Sequence, residues 1–152
     1  MAKSNEEVVK VVKVLNQQVA NWTVAFTKLH NFHWYVKGPN FFSLHTKFEE
    51  LYDEASQYID DLAERILATG GNPVATLKES LELSIIEEAG KGYKAEEMVE
   101  ELSKDFDNIS KQLEQAIEVA SNAEDDVTED MFIGMQTNID KHNWMLKSYL
   151  GR

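Results

Sequence analysis

Four runs of apolar residues recur along this chain at gaps of three and four, a spacing that long amphipathic helices carry and strands do not. In the first run Val8, Val12, Leu15, Val19, Trp22, Phe26 and Leu29 share one stripe, and His33 is the next step on it. The helix is expected to stop near Gly38-Pro39, a breaker pair, with Asn40 or Ser43 available to cap the next one. The second stripe is Leu44, Phe48, Leu51, Ala55, Tyr58, Leu62 and Ile66, ending at Gly70-Gly71. The third is Val99, Leu102, Phe106, Ile109, Leu113 and Ile117. The fourth is Met131, Met135, Ile139, His142, Leu146 and Tyr149, joined to the third by the acidic turn around "SNAEDD".

A long connection, roughly residues 70 to 93, separates the second stripe from the third. It contains "TLKESLELSI", which reads as a short helix inside a crossover. The expected fold is all-α: a four-helix bundle of ferritin-like topology, with a short extra helix in the long connection between helices 2 and 3. A chain of 152 residues is most simply one domain, 1–152.

Charge narrows the function classes. Fifteen Lys and Arg face 27 Asp and Glu, a formal net charge of −12. Such a surface repels phosphate backbones and attracts cations. Near the N-terminus Lys3, Lys10 and Lys13 stand among Glu6 and Glu7, which reads as the solvated face of a helix. There is no cysteine, so disulfides and thiolate metal sites are excluded. No leader and no apolar run of membrane-spanning length is visible, and the expected location is the cytoplasm.

Three of the four histidines, His30, His33 and His45, fall within "LHNFHWYVKGPNFFSLH". With His45 at zero and 100° per residue, Glu49 lies at about 40°, Asp60 at about 60° and Glu64 at about 100° on the second helix. The core stripe of that helix centres near −100° on the same wheel. The arc bearing the histidine and the acids is lined by Tyr52, Ile59, Ala63 and Leu67, which suggests a subunit interface. His45 and Asp60 are about 22 Å apart along the helix, too far to grip one metal. Two copies of the helix packed antiparallel about a two-fold axis would bring them together. The spacing therefore suggests an intersubunit site, with His33, His45 and Glu49 from one chain and Asp60 and Glu64 from its partner. No histidine follows a Glu at the third position, since Phe42, Thr27, His30 and Ile139 occupy those places. A di-iron centre inside one bundle is not expected.

The stretch from His30 to Gly71 resembles the ferroxidase segment of the Dps family (DNA-binding protein from starved cells), the small dodecameric ferritins. The pattern is His-x-x-His-Trp, then Gly-x-x-Phe-x-x-Leu-His, then Asp-x-x-x-Glu-Arg and Gly-Gly. The resemblance extends over nearly the whole chain, through "DDVTEDM" and "DKHNWMLKSYLG". It implies a homo-oligomeric shell, a dodecamer, that oxidises Fe(II), preferably with hydrogen peroxide, at two-fold interfaces and stores ferric mineral inside. The implied iron ligands are His33, His45, Asp60 and Glu64, with Glu49 where relatives often carry Asp. Carboxylate and imidazole donors suit Fe(II), and carboxylates tolerate Fe(III). Trp34, beside His33, is a candidate electron donor to a strong oxidant.

Asp126 and Asp130 have two compatible readings: acids that complement the dipole of the last helix, and, by the resemblance, the lining of a three-fold pore for Fe(II). Relatives often carry a further acid where this chain has Ser121. His30 is read as an interface residue, His142 as structural, and Trp22 and Trp144 as packing residues. The competing function is DNA binding and compaction, known in many members with lysine-rich tails. The tail and charge of this chain lead us to expect none at physiological salt. A metal-free interaction protein is the third reading, and the intact ligand set opposes it.

Overall fold

The computed structural model describes residues 4–152, which form α1 (Asn5–Tyr35), α2 (Phe41–Ala68), α3 (Leu77–Leu83), α4 (Ala95–Asn122) and α5 (Asp126–Tyr149). Lys3 lies outside the described residues. The four long helices and the short one inside the crossover are those the apolar spacing predicts. Helix α1 starts with a capping box: the Glu7 amide donates to Ser4 Oγ and the Ser4 amide to Glu7 Oε2, each at 3.2 Å. It ends as Val36 turns extended and Gly38 takes φ +110°, a conformation that favours glycine.

The cap of α2 differs from expectation. Asn40 holds the N-cap position at φ −104° and ψ 18°, not the extended geometry that aims a capping oxygen. Its side-chain amide donates instead to the Tyr149 hydroxyl at 2.9 Å. Ser43 spends its hydroxyl on the Asn40 carbonyl. At the other end Gly70 is left-handed and the Gly71 amide reaches back to the Ile66 carbonyl at 2.9 Å. A Cβ at Gly71 would come within 2.7 Å of Val12, so only glycine lets the chain turn this close to α1.

Helices α1 and α2 form one antiparallel hairpin, and α4 and α5 another. The hairpins meet along α1–α4 and α2–α5. Asn21 and Gln18 on α1 donate to Gln112 on α4, while Tyr58 on α2 accepts from Asn138 on α5. Their apolar stripes enclose a core around Trp22, Phe32, Phe48, Leu62, Phe106 and Phe132, all buried. The crossover lies along α1, where Asn16, Gln17 and Asn21 hydrogen-bond the backbone of Asn72, Val74, Leu83 and Ile85. This third neighbour widens the buried face of α1. Val11, Val24, Ala25 and Phe32 join the stripe, while Val8, Val12 and Phe26 are only half-buried. Trp22 packs as expected, but Trp144 does not. It is 65% exposed, because α5 turns His142, Asn143 and Leu146 inward and leaves Trp144 on the outer face. Among the described residues no helix is long and apolar enough to cross a membrane.

One cation is fully enclosed. Lys28 has no exposed side-chain surface and lies 2.7 Å from Asp105 and 3.2 Å from Glu101 on α4. Burial pushes the Asp105 carboxyl up to about 6 from an ordinary 3.8, although Lys28 pulls it down. A carboxyl raised on folding adds stability that is complete below its unfolded pKa and is lost as pH climbs through about 6. In Asp105→Asn that slope between pH 4 and 6 should vanish from urea denaturation curves. Lys28→Met, which strands a buried carboxylate, should cost about 3–5 kcal/mol near neutral pH. Adding Asp105→Leu should recover much of the loss, because both charges are then gone.

Candidate metal centre

The turn at residues 36–40 folds α2 back along α1 and brings His33 and His45 face to face. Their rings stack at 3.6 Å between centroids, 14° from parallel. Each ring bonds the other residue's backbone. His33 Nδ1 lies 2.6 Å from the His45 carbonyl oxygen, and His45 Nδ1 lies 2.7 Å from the His33 carbonyl oxygen. A carbonyl only accepts, so both Nδ1 atoms carry hydrogen and donate. That leaves Nε2 of each ring as the nitrogen with a lone pair to offer, the tautomer a metal ligand needs. The His33 carbonyl belongs to the last turn of α1, where main-chain partners run out. The His45 ring thus closes a helix end while its own tautomer is set. His33 is buried at 7% exposure, His45 is half-buried, and Phe41 stacks on the outer side of His45.

Glu49 follows one turn after His45 and is exposed. The Tyr52 hydroxyl donates to Glu49 Oε1 at 3.3 Å. Desolvation and the adjacent Glu49 charge raise the Tyr52 phenol, so it keeps its proton as donor. Asp60 and Glu64 sit at the far end of α2, both exposed. The Asp60 charge, and a hydrogen bond between the two carboxyls, push Glu64 above the usual carboxylate range. A cation placed beside the two carboxyls would offset the Asp60 charge that holds Glu64 up.

One chain therefore carries two separated donor groups along the outer arc of α2, the first completed by His33 from the end of α1. His33, His45 and Glu49 gather at its start, and Asp60 and Glu64 about 22 Å further on. Among the described residues no set of three or more His, Asp or Glu side chains is close enough to hold a metal ion. Trp34 is 68% exposed, and the ring it meets is His30, at 5.2 Å between centroids, rather than the histidine pair. His30 donates through Nδ1 to the Phe26 carbonyl and stacks on Tyr52 at 3.7 Å. Tyr52 in turn meets His33 edge-on at 5.3 Å. The sequence reading counted Tyr52 only as part of the apolar strip. Its position seven residues after His45, about −20° on the wheel, is the signal that places it beside the donors.

The remaining sequence candidates fall elsewhere. Asp126 and Asp130 are exposed on the first turns of α5. The capping residue there is Asp125, which was not foreseen. It is buried, accepts from the Thr128 amide and hydroxyl, and pairs with Arg65 at 2.9 Å. His142 is structural. Lys47 donates to its Nδ1 at 3.0 Å, which leaves Nε2–H to donate to Glu54 at 2.5 Å. The Tyr58 hydroxyl donates to the other Glu54 oxygen. Burial raises Glu54, but the bonds from His142 and Tyr58 outweigh it and leave its carboxyl below the usual range.

The ferritin-like domain family matches residues 12–152 of this chain. The crystal structure of Dps from Staphylococcus aureus superimposes with a TM-score of 0.93 at 77% identity, covering 98% of each chain. "DNA protection during starvation protein 2" of Bacillus anthracis is 55% identical over 143 residues, 94% of this chain and 98% of its own. Dps from Listeria innocua, in a crystal soaked with zinc, superimposes with a TM-score of 0.90 at 43% identity, covering 93% and 97%.

Because Asp60 is the main reason Glu64 is raised, Asp60→Asn should return the Glu64 titration toward lower pH. Carboxyl-carbon NMR across pH 3 to 8 reads this directly. An unchanged midpoint would mean that burial, not the neighbouring charge, holds it up.

Proposed function

We propose, for a chain that belongs to the Dps family of ferritin-like proteins, a peroxide-dependent ferroxidase that works between subunits and stores the ferric product. Iron storage and protection against oxidative damage are the general work of the family. What supports the finer reading here is the pair of reciprocal bonds that set Nε2 of His33 and His45 free, with His45 on the same arc of α2 as the neighbouring acids Asp60 and Glu64.

The mechanism follows from donor chemistry. Two α2 helices antiparallel across a two-fold axis would set the His33, His45 and Glu49 end of one chain against the Asp60 and Glu64 end of its partner, twice per dimer. Half-buried Tyr52, Ile59 and Ala63, with exposed Leu67, supply apolar surface for that contact. The substrate Fe(II) binds to imidazole nitrogen and carboxylate oxygen, and the carboxylates hold it more firmly as Fe(III). Two Fe(II) give one electron each to hydrogen peroxide. Its O–O bond breaks, two protons are taken up and two waters form. No hydroxyl radical is released, since both electrons arrive at one site. Glu49 reaches further than the Asp common in relatives and already holds the Tyr52 hydroxyl, so it governs the place of the second iron.

The reading extends to a cytoplasmic dodecameric shell built from this single domain. Its acidic Asp126 and Asp130 would line the inlet for Fe(II), with Ser121 making that inlet less negative than in many relatives. Trp34 serves as an electron donor of last resort. A second reading is favoured by the relatives' description as DNA-protection proteins. Against direct binding stands the charge of −12 per chain. A gel shift at low ionic strength and neutral pH should show free DNA; a retarded band would revive compaction.

The deciding experiment adds Fe(II) anaerobically, then stoichiometric peroxide, and follows ferric absorbance. Fast oxidation should be lost in a His33→Ala, Asp60→Ala variant, by more than about tenfold, because one donor from each half-site is gone. Equal, slow oxidation in both proteins would sink the ferroxidase reading and favour a shell that acts by interaction alone.

A further inference from the structure

We propose that the cleft between the end of α1 and the loop entering α4 is a binding site for a nucleoside phosphate, with the phosphate held by Lys37 and Lys91 and the base laid against Tyr35 and Tyr93. The inference does not depend on the ferroxidase reading.

Charge sets this end of the molecule apart. The chain carries 27 acids, yet none falls between Glu7 and Glu49, and that stretch holds five lysines. Helix α1 and the turn after it are therefore cationic within a chain of net charge −12. The loop at residues 90–94, Gly-Lys-Gly-Tyr-Lys, is likewise free of acids. The fold brings these two acid-free segments to one cleft. Asn31, Tyr35 and Lys37 line it from the first segment, Lys91 and Tyr93 from the second, together with the buried Met98 of α4. Its volume of about 550 Å³ lies within the range of about 300–1,000 Å³ common for small-molecule sites.

The polar groups of the cleft are uncommitted. Among the described residues neither Lys37 nor Lys91 makes an ion pair, and the hydroxyls of Tyr35 and Tyr93 make no hydrogen bond to the protein. Ammonium groups are strong point donors to phosphate. The phenols and the Asn31 amide add neutral donors, and phenol rings offer faces on which a base stacks. Lys37, just past the C-terminus of α1, also suits the dipole of that helix. That accounts for neither Lys91 nor the glycines on either side of it.

Those glycines shape the loop around the cleft. Gly92 takes φ +80°, a conformation that favours glycine. A Cβ at Gly90 would lie 3.2 Å from the Tyr93 hydroxyl, so the missing side chain lets the Tyr93 ring fold against the loop. The same ring stands edge-on to the buried Phe32 at 5.6 Å and 87°, which fixes it as a wall. A bare anion needs neither this volume nor two aromatic walls. A long polyanion would meet the acidic remainder of the surface and be repelled. One phosphate group or two, joined to a ring system, matches the charge, the donors and the space.

The test takes the intact protein, stripped of iron with a chelator so that no nucleotide is held through metal, and measures retention of ADP by equilibrium dialysis at low ionic strength. Saturable binding approaching one ADP per chain is expected. Lys37→Gln combined with Lys91→Gln should weaken it by about tenfold or more, because both charged donors are lost. Unchanged helix content by circular dichroism will show that this variant is folded. Lys10→Gln combined with Lys13→Gln, on the distant first half of α1, should leave binding as it was. Adenosine and inorganic phosphate, each offering one half of the ligand, should both bind more weakly than ADP. No retention of ADP overturns the proposal, as does an equal loss in the two double variants. Inorganic phosphate retained as tightly as ADP overturns it too, since the rings would then contribute nothing.

Discussion

Burial of the α2 stripe is the constraint from which the rest follows. Leu44, Phe48, Leu51, Ala55, Tyr58, Leu62 and Ile66 are all buried between α1 and α5. Each large apolar side chain contributes about 1.5–3 kcal/mol when fully buried. Rotating α2 by one residue step would lift that stripe toward water and press carboxylates into the core, which is costly on both counts. The rotation of α2 is thereby set, and with it the outward direction of His45, Glu49, Asp60 and Glu64. The candidate site is a by-product of where the core is not.

Polar side chains then decide how the helices register along their lengths. Lys28 with Asp105 and Glu101 ties α1 to α4, Arg65 with Asp125 ties α2 to the start of α5, and the Lys47–His142–Glu54–Tyr58 chain ties the middle of α2 to α5. Such groups stabilise only while every partner is present, so they act more as registration pins than as net sources of stability. The last two sit on the inward or flanking faces of α2, and among the described residues His45, Glu49, Asp60 and Glu64 on its outer arc make no ion pair.

That outer arc explains why the functional reading has to involve two chains. A straight helix separates His45 from Glu64 by more than any metal's reach, and no bending within one bundle can bring them together. In the proposed reading symmetry would supply the missing half at no cost in new sequence, since one self-complementary contact creates two identical sites. The histidine pair is prepared in advance, its tautomer dictated by main-chain carbonyls inside the chain. At the acid end the Asp60 charge opposes ionisation of Glu64, and in the proposed reading a bound cation would offset it.

Much of this was legible in the residues alone. The three-and-four spacing located all four long helices, Gly-Pro and Gly-Gly marked the ends of the first two, and "TLKESLELSI" contained the short one. The same spacing put His45, Glu49, Asp60 and Glu64 on one arc of the second helix away from its core stripe, because a helical wheel is determined by residue number. What it could not reach were contacts between elements. The exchange of ring and carbonyl between His33 and His45, the His30–Tyr52 stack, the Asp125 cap with its Arg65 partner and the exposure of Trp144 all depend on which helices become neighbours and at what depth. Asn40 makes no cap bond because its backbone is not extended there, and its amide instead donates to Tyr149, more than a hundred residues away. Periodicity is a local property and so belongs to the sequence. Partnership between distant side chains exists only once burial has fixed the helices against one another, and that was decided by the tertiary structure.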